Sequence, residues 1–281
     1  MDTMIHASLR PDQVEAYRRG GFVVPDWRLP PQTLDRLRRL TSELVELNPE
    51  LTGRVMPCPH VQRKFVPGGF PHLKTPHERE WMEIARAPEI LDLVDPLLGP
   101  DLILWSTAMF YKRAGGGPAT PWHTDSAFLP INPPVTASVW IAVFDSFVDN
   151  GCLRFIPGSH KQHLADRHVN DHRADVAFPN TLPDDAVDQS AARDIELEAG
   201  RMVIFDVNIV HGARANHGVR PRAGFSIRFM PTTSHFDHDG RPPGRDPDPY
   251  RVMKDRDYAT RPLFLVRGRD RSGRNDLQRG H

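Results

Sequence analysis

Cysteine is almost absent: the 281-residue chain has two, Cys58 and Cys152. Two cannot build a disulfide framework, so a core must hold the fold, and a reducing, cytoplasmic setting is expected. Net charge is missing too. Thirty-six basic residues balance 36 acidic ones, which removes the basic field that a nucleic-acid binder or a polybasic membrane anchor relies on. No apolar run approaches the ~18 residues of a membrane helix. The opening MDTMIHASLRPDQ has none of the apolar stretch of a signal peptide. Lysine is scarce, five of the 36 basic residues, leaving 31 arginines; this bias carries no mechanistic weight. What is present, 39% hydrophobic and 26% charged residues, suits an ordinary globular protein long enough to bury a real core. Fourteen histidines raise the question of a metal.

The first third reads as helical. Residues 11–19 begin at Pro11 and end at Gly20-Gly21, and FVV at 22–24 makes a short strand. In 31–47, Leu34, Leu37, Leu40, Leu44 and Leu47 recur every three or four residues, and 88–98 repeats the pattern with Ile90, Leu91, Val94 and Leu97. The middle changes character. Segments 102–112, 136–147, 152–156, 202–207 and 223–230 are short, rich in β-branched and aromatic residues, and bounded by Gly, Pro or Asn. Helices followed by strands with no helix between them point to an antiparallel sandwich or barrel with a helical jacket. The polar 160–194 segment reads as a long loop of the lid or binding type. Beyond 231 the chain turns polar and Pro/Gly-rich, and its end is expected to be poorly ordered.

Two His-x-Asp pairs are present, His123-Thr124-Asp125 and His235-Phe236-Asp237. Positions i and i+2 of a strand share a face, so such a pair can converge on one ion. The first pair follows a Gly-Pro loop where a strand would begin; the second lies in the Pro/Gly tail, where nothing holds geometry, and reads as solvated or capping. His211, at the end of RMVIFDVNIV, is either a third ligand or a core histidine bonded to backbone. Two imidazoles and one carboxylate leave half an octahedron open, the donor set of non-haem Fe(II) oxygenases. A 2-oxo acid bound there needs a cation for its distal carboxylate, for which the planar fork of arginine is suited.

Four segments resemble the phytanoyl-CoA dioxygenase (PhyH-like) family of Fe(II)/2-oxoglutarate oxygenases: PWHTD (121–125), WIAVFDSFVDNGCLRFIPGSHK (140–161), LEAGRMVIFDVNIVHGARAN (197–216) and RPRAGFSIRFMP (220–231). The opening RPDQVEAYRRGGFVV is also similar, so the likeness runs from about residue 9 to 231. The resemblance implies a mainly β fold with N-terminal helices, a double-stranded β-helix or cupin-like jelly roll. The expected organisation is a single domain over 1–235, helical to 100 and jelly roll from 101, followed by a polar Pro/Gly/Arg-rich tail over 236–281.

Carried over by position, the resemblance implies Fe(II) ligands His123, Asp125 and His211. Arg222, eleven residues after His211, falls at the 2-oxoglutarate carboxylate position; Arg220 and Arg214 compete, and strand alternation puts Arg220 and Arg222 on one face. Trp140 and Lys112 fall where members line the co-substrate pocket, though Trp140 also suits a core and Lys112 a strand edge. Asn150-Gly151 and Gly158-Ser159-His160 read as turns. Ala213 stands where the family often has a hydroxyl. The cofactors implied are Fe(II), 2-oxoglutarate and O2. The reaction implied is decarboxylation to succinate and CO2 coupled to hydroxylation of an unactivated C–H bond in a small molecule. No nucleic-acid or membrane partner is expected, and a homodimer is left open. Two other readings stand beside this one. A non-enzymatic cupin-like metal-binding protein would explain the triad but not the arginine. A halogenase would need a small residue where Asp125 stands.

Overall fold

The computed structural model describes residues 7–49, 55–57, 76–171, 173, 175–178, 180–240, 258 and 261–279. The chain opens with α1 (Pro11–Gly20), β1 (Phe22–Val23) and α2 (Pro31–Leu47), then β2 (Val55–Pro57), α3 (Glu78–Ala85) and α4 (Pro88–Leu98). Strands follow: β3 (Leu102–Lys112), β4 (Thr120–His123), β5 (Ile131–Asn132), β6 (Ala137–Ala142), β7 (Leu153–Phe155), β8 (Val169–Asn170), β9 (Asn180–Thr181) and β10 (Arg193–Ile195). The rest are β11 (Met202–Asp206), β12 (His211–Ala213), β13 (Arg222–Pro231), β14 (His235–Phe236) and β15 (Phe264–Arg267). Proline occupies the first turn of α1, α2 and α4, where its missing N–H has no helical partner to lose.

Two antiparallel sheets face each other. The larger runs β1-β11-β6-β13-β3-β15, with β2 also on β3; the smaller runs β10-β7-β12-β4. This is the double-stranded β-helix expected from the sequence. Strand β13 shows how its layers arise. Alternate residues Ala223, Phe225, Ile227 and Phe229 join the core formed with Leu37, Leu40 and Leu44 of α2, Trp81 of α3 and Val94 of α4. Trp81 meets Phe225 at 5.1 Å between ring centres. Burial of each such side chain stabilises the fold by about 1.5–3 kcal/mol. The residues between them, Arg222, Gly224, Ser226 and Arg228, face the space between the sheets. There Trp140, Leu153, Phe155, Val203 and Phe205 form a second core.

Gly224 is dictated by that second core. A Cβ at this position would lie 1.8 Å from Cζ2 of Trp140, so the indole packs against bare backbone. The 136–147 strand is shorter than expected, ending at Ala142. Beyond it Ser146 pairs with Leu197, and Asn150 accepts from Phe147 N at 2.8 Å and donates to Asp145 O at 2.8 Å. These bonds replace the ladder with a corner. Gly151 completes the corner at φ +80, its Cα so close to the Arg214 carbonyl that a Cβ would stand 2.5 Å from it.

The segment expected to be a poorly ordered tail departs from that reading. Strand β15 pairs with β3, Phe264 opposite Leu104. Arg267 bonds Asp92 of α4 at 2.6 Å, and Arg271 pairs with Asp101. Buried Asn275 donates to Ser234 O at 2.9 Å and accepts from Phe236 N at 3.1 Å. Leu263 and Asn275 supply the buried anchors that an almost wholly polar composition obscures. Residues 241–257, 259–260 and 280–281 lie outside the described residues. Among the described residues no helix is long and apolar enough to cross a membrane.

Candidate metal centre

Strands β4 and β12 pair with His123 directly opposite His211. Their rings lie 4.1 Å apart, centre to centre. Each imidazole is fixed by the same local device: Nδ1 of His123 donates to Pro121 O at 2.8 Å, and Nδ1 of His211 to Ile209 O at 3.0 Å. A carbonyl acceptor demands a proton on Nδ1, which leaves the Nε2 lone pair of each ring free to bind a metal.

The carboxylate arrives differently from the strand pairing expected. His123 is the last residue of β4, Thr124 is extended, and Asp125 opens a short 3-10 turn, Asp125–Phe128. Its Oδ1 nevertheless lies 3.6 Å from His123 Nε2 and 4.0 Å from His211 Nε2. All three residues are buried, and their donor atoms lie within 4.8 Å of one another. Burial disfavours the charged carboxylate, but Arg228 and the two imidazoles outweigh it and hold Asp125 well below the usual carboxylate range. Burial, reinforced by His123, pushes His211 down to about 3, so its ring is neutral at neutral pH. This arrangement offers two imidazole nitrogens and one anionic oxygen, a fit for Fe(II). The other histidine pair stays apart: His235 pairs with Asn132 in the β14–β5 ribbon.

Aromatic rings wall the centre. Phe178 stands edge-on to His123 at 4.8 Å, and Phe155 and Phe205 flank His211 at 5.8 and 5.1 Å. Trp140 belongs to the same cluster as Phe155 and Phe205, and the guanidinium of Arg222 lies over its ring at 4.5 Å. Arg222 is 2% exposed, and its Nε and Nη2 have no partner among the described residues. Burial lowers its pKa to about 10. Directly opposite on β3, Lys112 donates to Pro118 O and to Arg214 O. Burial, with the neighbouring Arg222, lowers Lys112 to about 6. The hydroxyls of Ser138 and Ser226 are likewise buried without a hydrogen bond among the described residues. Unpartnered buried donors of this kind call for a polar ligand.

Its rivals are engaged elsewhere. Arg220 is half exposed, reaches Asp145 at 3.6 Å and Asp149 at 3.5 Å, and covers Phe147. Arg214 bonds Asp194 at 3.0 Å. The structure therefore places Arg222, Lys112 and Trp140 together and puts Arg220 and Arg214 outside.

Sequence reasoning missed two neighbours of the triad. Arg228 lies 3.5 Å from Asp125; its even spacing from Arg222 along β13 was the available signal. His168, from the 160–194 segment, accepts from Thr124 N at 3.1 Å through Nε2 and donates to Ala165 O through Nδ1. Leu182 N bonds Trp122 O at 2.7 Å, so part of this segment docks on the metal-bearing strand. Burial, then repulsion from His123, lowers His168 from 6.5 to about 4. The unfolded chain therefore binds this proton first as pH falls, and acid favours unfolding. Metal-free protein is expected to lose up to about 3 kcal/mol between pH 6.5 and 4 through this group, with His211 adding in the same direction. Urea titrations across that window should show a shallower pH slope in His168→Gln; an unchanged slope would rule His168 out as the source.

Comparisons with known proteins agree in kind. The family model described as Phytanoyl-CoA dioxygenase (PhyH) matches residues 17–224. A phytanoyl-CoA dioxygenase domain-containing protein 1 homolog from Dictyostelium discoideum is 27% identical over 150 residues, 53% of each chain. The Caenorhabditis briggsae homolog is 33% identical over 135 residues, 46% of each. The chain thus spans about half the length of such curated relatives. Among solved structures, the non-heme monooxygenase ThoJ in its apo form has a TM-score of 0.65 at 24% identity, covering 92% of this chain and 85% of that one. EctD from S. alaskensis, with 2-oxoglutarate and 5-hydroxyectoine, has a TM-score of 0.64 at 18% identity, covering 88% and 84%. At these identities the structural likeness speaks for the fold.

Proposed function

This chain belongs to the phytanoyl-CoA dioxygenase family, and from that premise we propose that it hydroxylates an unactivated C–H bond of a small metabolite, with Fe(II), 2-oxoglutarate and O2, releasing succinate and CO2. The observation that carries this reading is a buried guanidinium, two of its nitrogens without a partner among the described residues, in the same inter-sheet space as three converging metal donors. Neither a structural zinc site nor an apolar core has use for Arg222 in that state.

His123, Asp125 and His211 would hold the iron, which supplies O2 activation coupled to decarboxylation of the co-substrate. The chain's own part is placement. Arg222 presents two free nitrogens to the distal carboxylate, and Trp140 braces the guanidinium from one side. Lys112, directly opposite Arg222, ties the turns at Pro118 and Arg214. Phe178 and His168, from the 160–194 segment, cover the triad and exclude water. This segment acts as a lid that opens for substrate.

The test is succinate release from 2-oxoglutarate, with Fe(II) and O2, across a panel of amino acids, secondary metabolites and acyl-CoAs. Substrate-stimulated succinate with an oxygenated product is expected. Absence of both succinate and the anaerobic Fe(II)–2-oxoglutarate absorbance would leave a metal-binding protein without this activity.

A further inference from the structure

Six residues beyond Arg222 on β13, and on the same face, Arg228 is buried at 6% exposure. Aromatic rings confine it: its guanidinium carbon lies 5.9 Å from the Trp105 ring centre and 5.7 Å from that of Phe110. Small side chains stand opposite, Ser106 on β3 and Ser138 on β6. Its Nε lies 3.5 Å from Asp125 Oδ2. The other carboxylate oxygen, Oδ1, faces His123 and His211. The carboxylate is thus divided, one oxygen toward the imidazole nitrogens and one toward a cation held by the opposite sheet.

We infer that Arg228 is a positioning residue that keeps Asp125 a one-oxygen ligand. A carboxylate can hold a metal through one oxygen or both. Ligation through both would occupy one of the three positions that a bidentate 2-oxo acid and O2 require. Arg228 opposes this because Oδ2 would have to leave its buried ion pair with the guanidinium to turn toward the metal. The aromatic walls keep the guanidinium from following it. The inference rests on the ligand reading of His123, Asp125 and His211.

Its signature separates metal binding from co-substrate binding. Arg228→Met removes a positive charge near the cation and frees the carboxylate, so Ni(II) should bind as tightly as in wild type or more so by calorimetry. In the same variant at saturating Fe(II) under argon, 2-oxoglutarate should bind roughly 10–100-fold more weakly, read from the Fe(II)–2-oxoglutarate absorbance. Arg228→Lys should fall between, since a point charge restrains the carboxylate less well than the fork. In an Asp125→Ala background, Arg228→Met should change 2-oxoglutarate affinity by less than about twofold, because the residue acts through the carboxylate.

Wild-type 2-oxoglutarate affinity in Arg228→Met would overturn the inference. So would an equal loss in both backgrounds, which would mark direct contact with the co-substrate or a purely structural role. Should Arg228→Met not fold, wild-type 2-oxoglutarate affinity in Arg228→Lys has the same force. Unchanged Ni(II) affinity in Asp125→Ala alone is a different outcome, one that removes the ligand reading beneath.

Discussion

Asp125→Ala is expected to abolish 2-oxoglutarate-coupled hydroxylation. The substitution removes one of three protein donors and the only anionic one, so the remaining pair of imidazoles loses both a fellow ligand and the charge that favours a divalent cation. It also removes the carboxylate that Arg228 faces at 3.5 Å. Turnover should fall to background in assays that follow both succinate and hydroxylated product. Space for chloride would open beside the metal, yet chlorination is not expected to be efficient, because the residues that place the substrate are unchanged. Hydroxylation at the wild-type rate would show that Asp125 is not a ligand.

Arg222→Ala is expected to weaken 2-oxoglutarate binding by roughly 30-fold or more. Loss of one partner of a buried, charge-assisted contact typically costs about 2–5 kcal/mol, and each 1.4 kcal/mol is about tenfold. Arg222→Lys should recover part of this, since an ammonium cannot reproduce the fork. Arg220→Ala should change little, its side chain being engaged with Asp145 and Asp149 at the surface. A second readout moves the other way. Without co-substrate, Arg222 is a buried cation with two unsatisfied nitrogens, so Arg222→Met should leave the co-substrate-free protein as stable as wild type or more so. Titration of the anaerobic Fe(II)–2-oxoglutarate absorbance measures the first effect, and thermal unfolding the second. If Arg220→Ala is the variant that loses affinity, the two arginines exchange roles.

The large regular elements were legible because their residues repeat with a period. Leu37, Leu40 and Leu44 mark the buried side of α2, and β3 occupies the span expected, Leu102–Lys112. The site was legible only in part. Strand β12 has three residues, too few for alternation to show, so the resemblance supplied His211. Asp125 reaches the imidazoles from a 3-10 turn, where strand spacing says nothing about direction. Arg228 carries no signal in the sequence beyond its even spacing from Arg222, on a strand that is buried along its whole length. In the 160–194 segment, Leu182 and Val187 are buried but too far apart to form a pattern. The partner of β15 lies about 160 residues earlier, a pairing that local composition cannot encode.

The seating of β15 on β3 bears on how the protein keeps from aggregating. Strand β3 takes β13 on one side, and its other side is capped twice, by β2 opposite 108–110 and by β15 opposite 102–104. Each cap is short, and the second is pinned to α4 through Arg267. A bare strand of that length and apolarity is a template for a foreign strand. A chain cut after Pro231 would keep every proposed ligand, yet it would present Leu102, Ile103 and Leu104 as an open edge. Residues 264–267 therefore occupy hydrogen-bonding groups of β3 that would otherwise stand open to another strand.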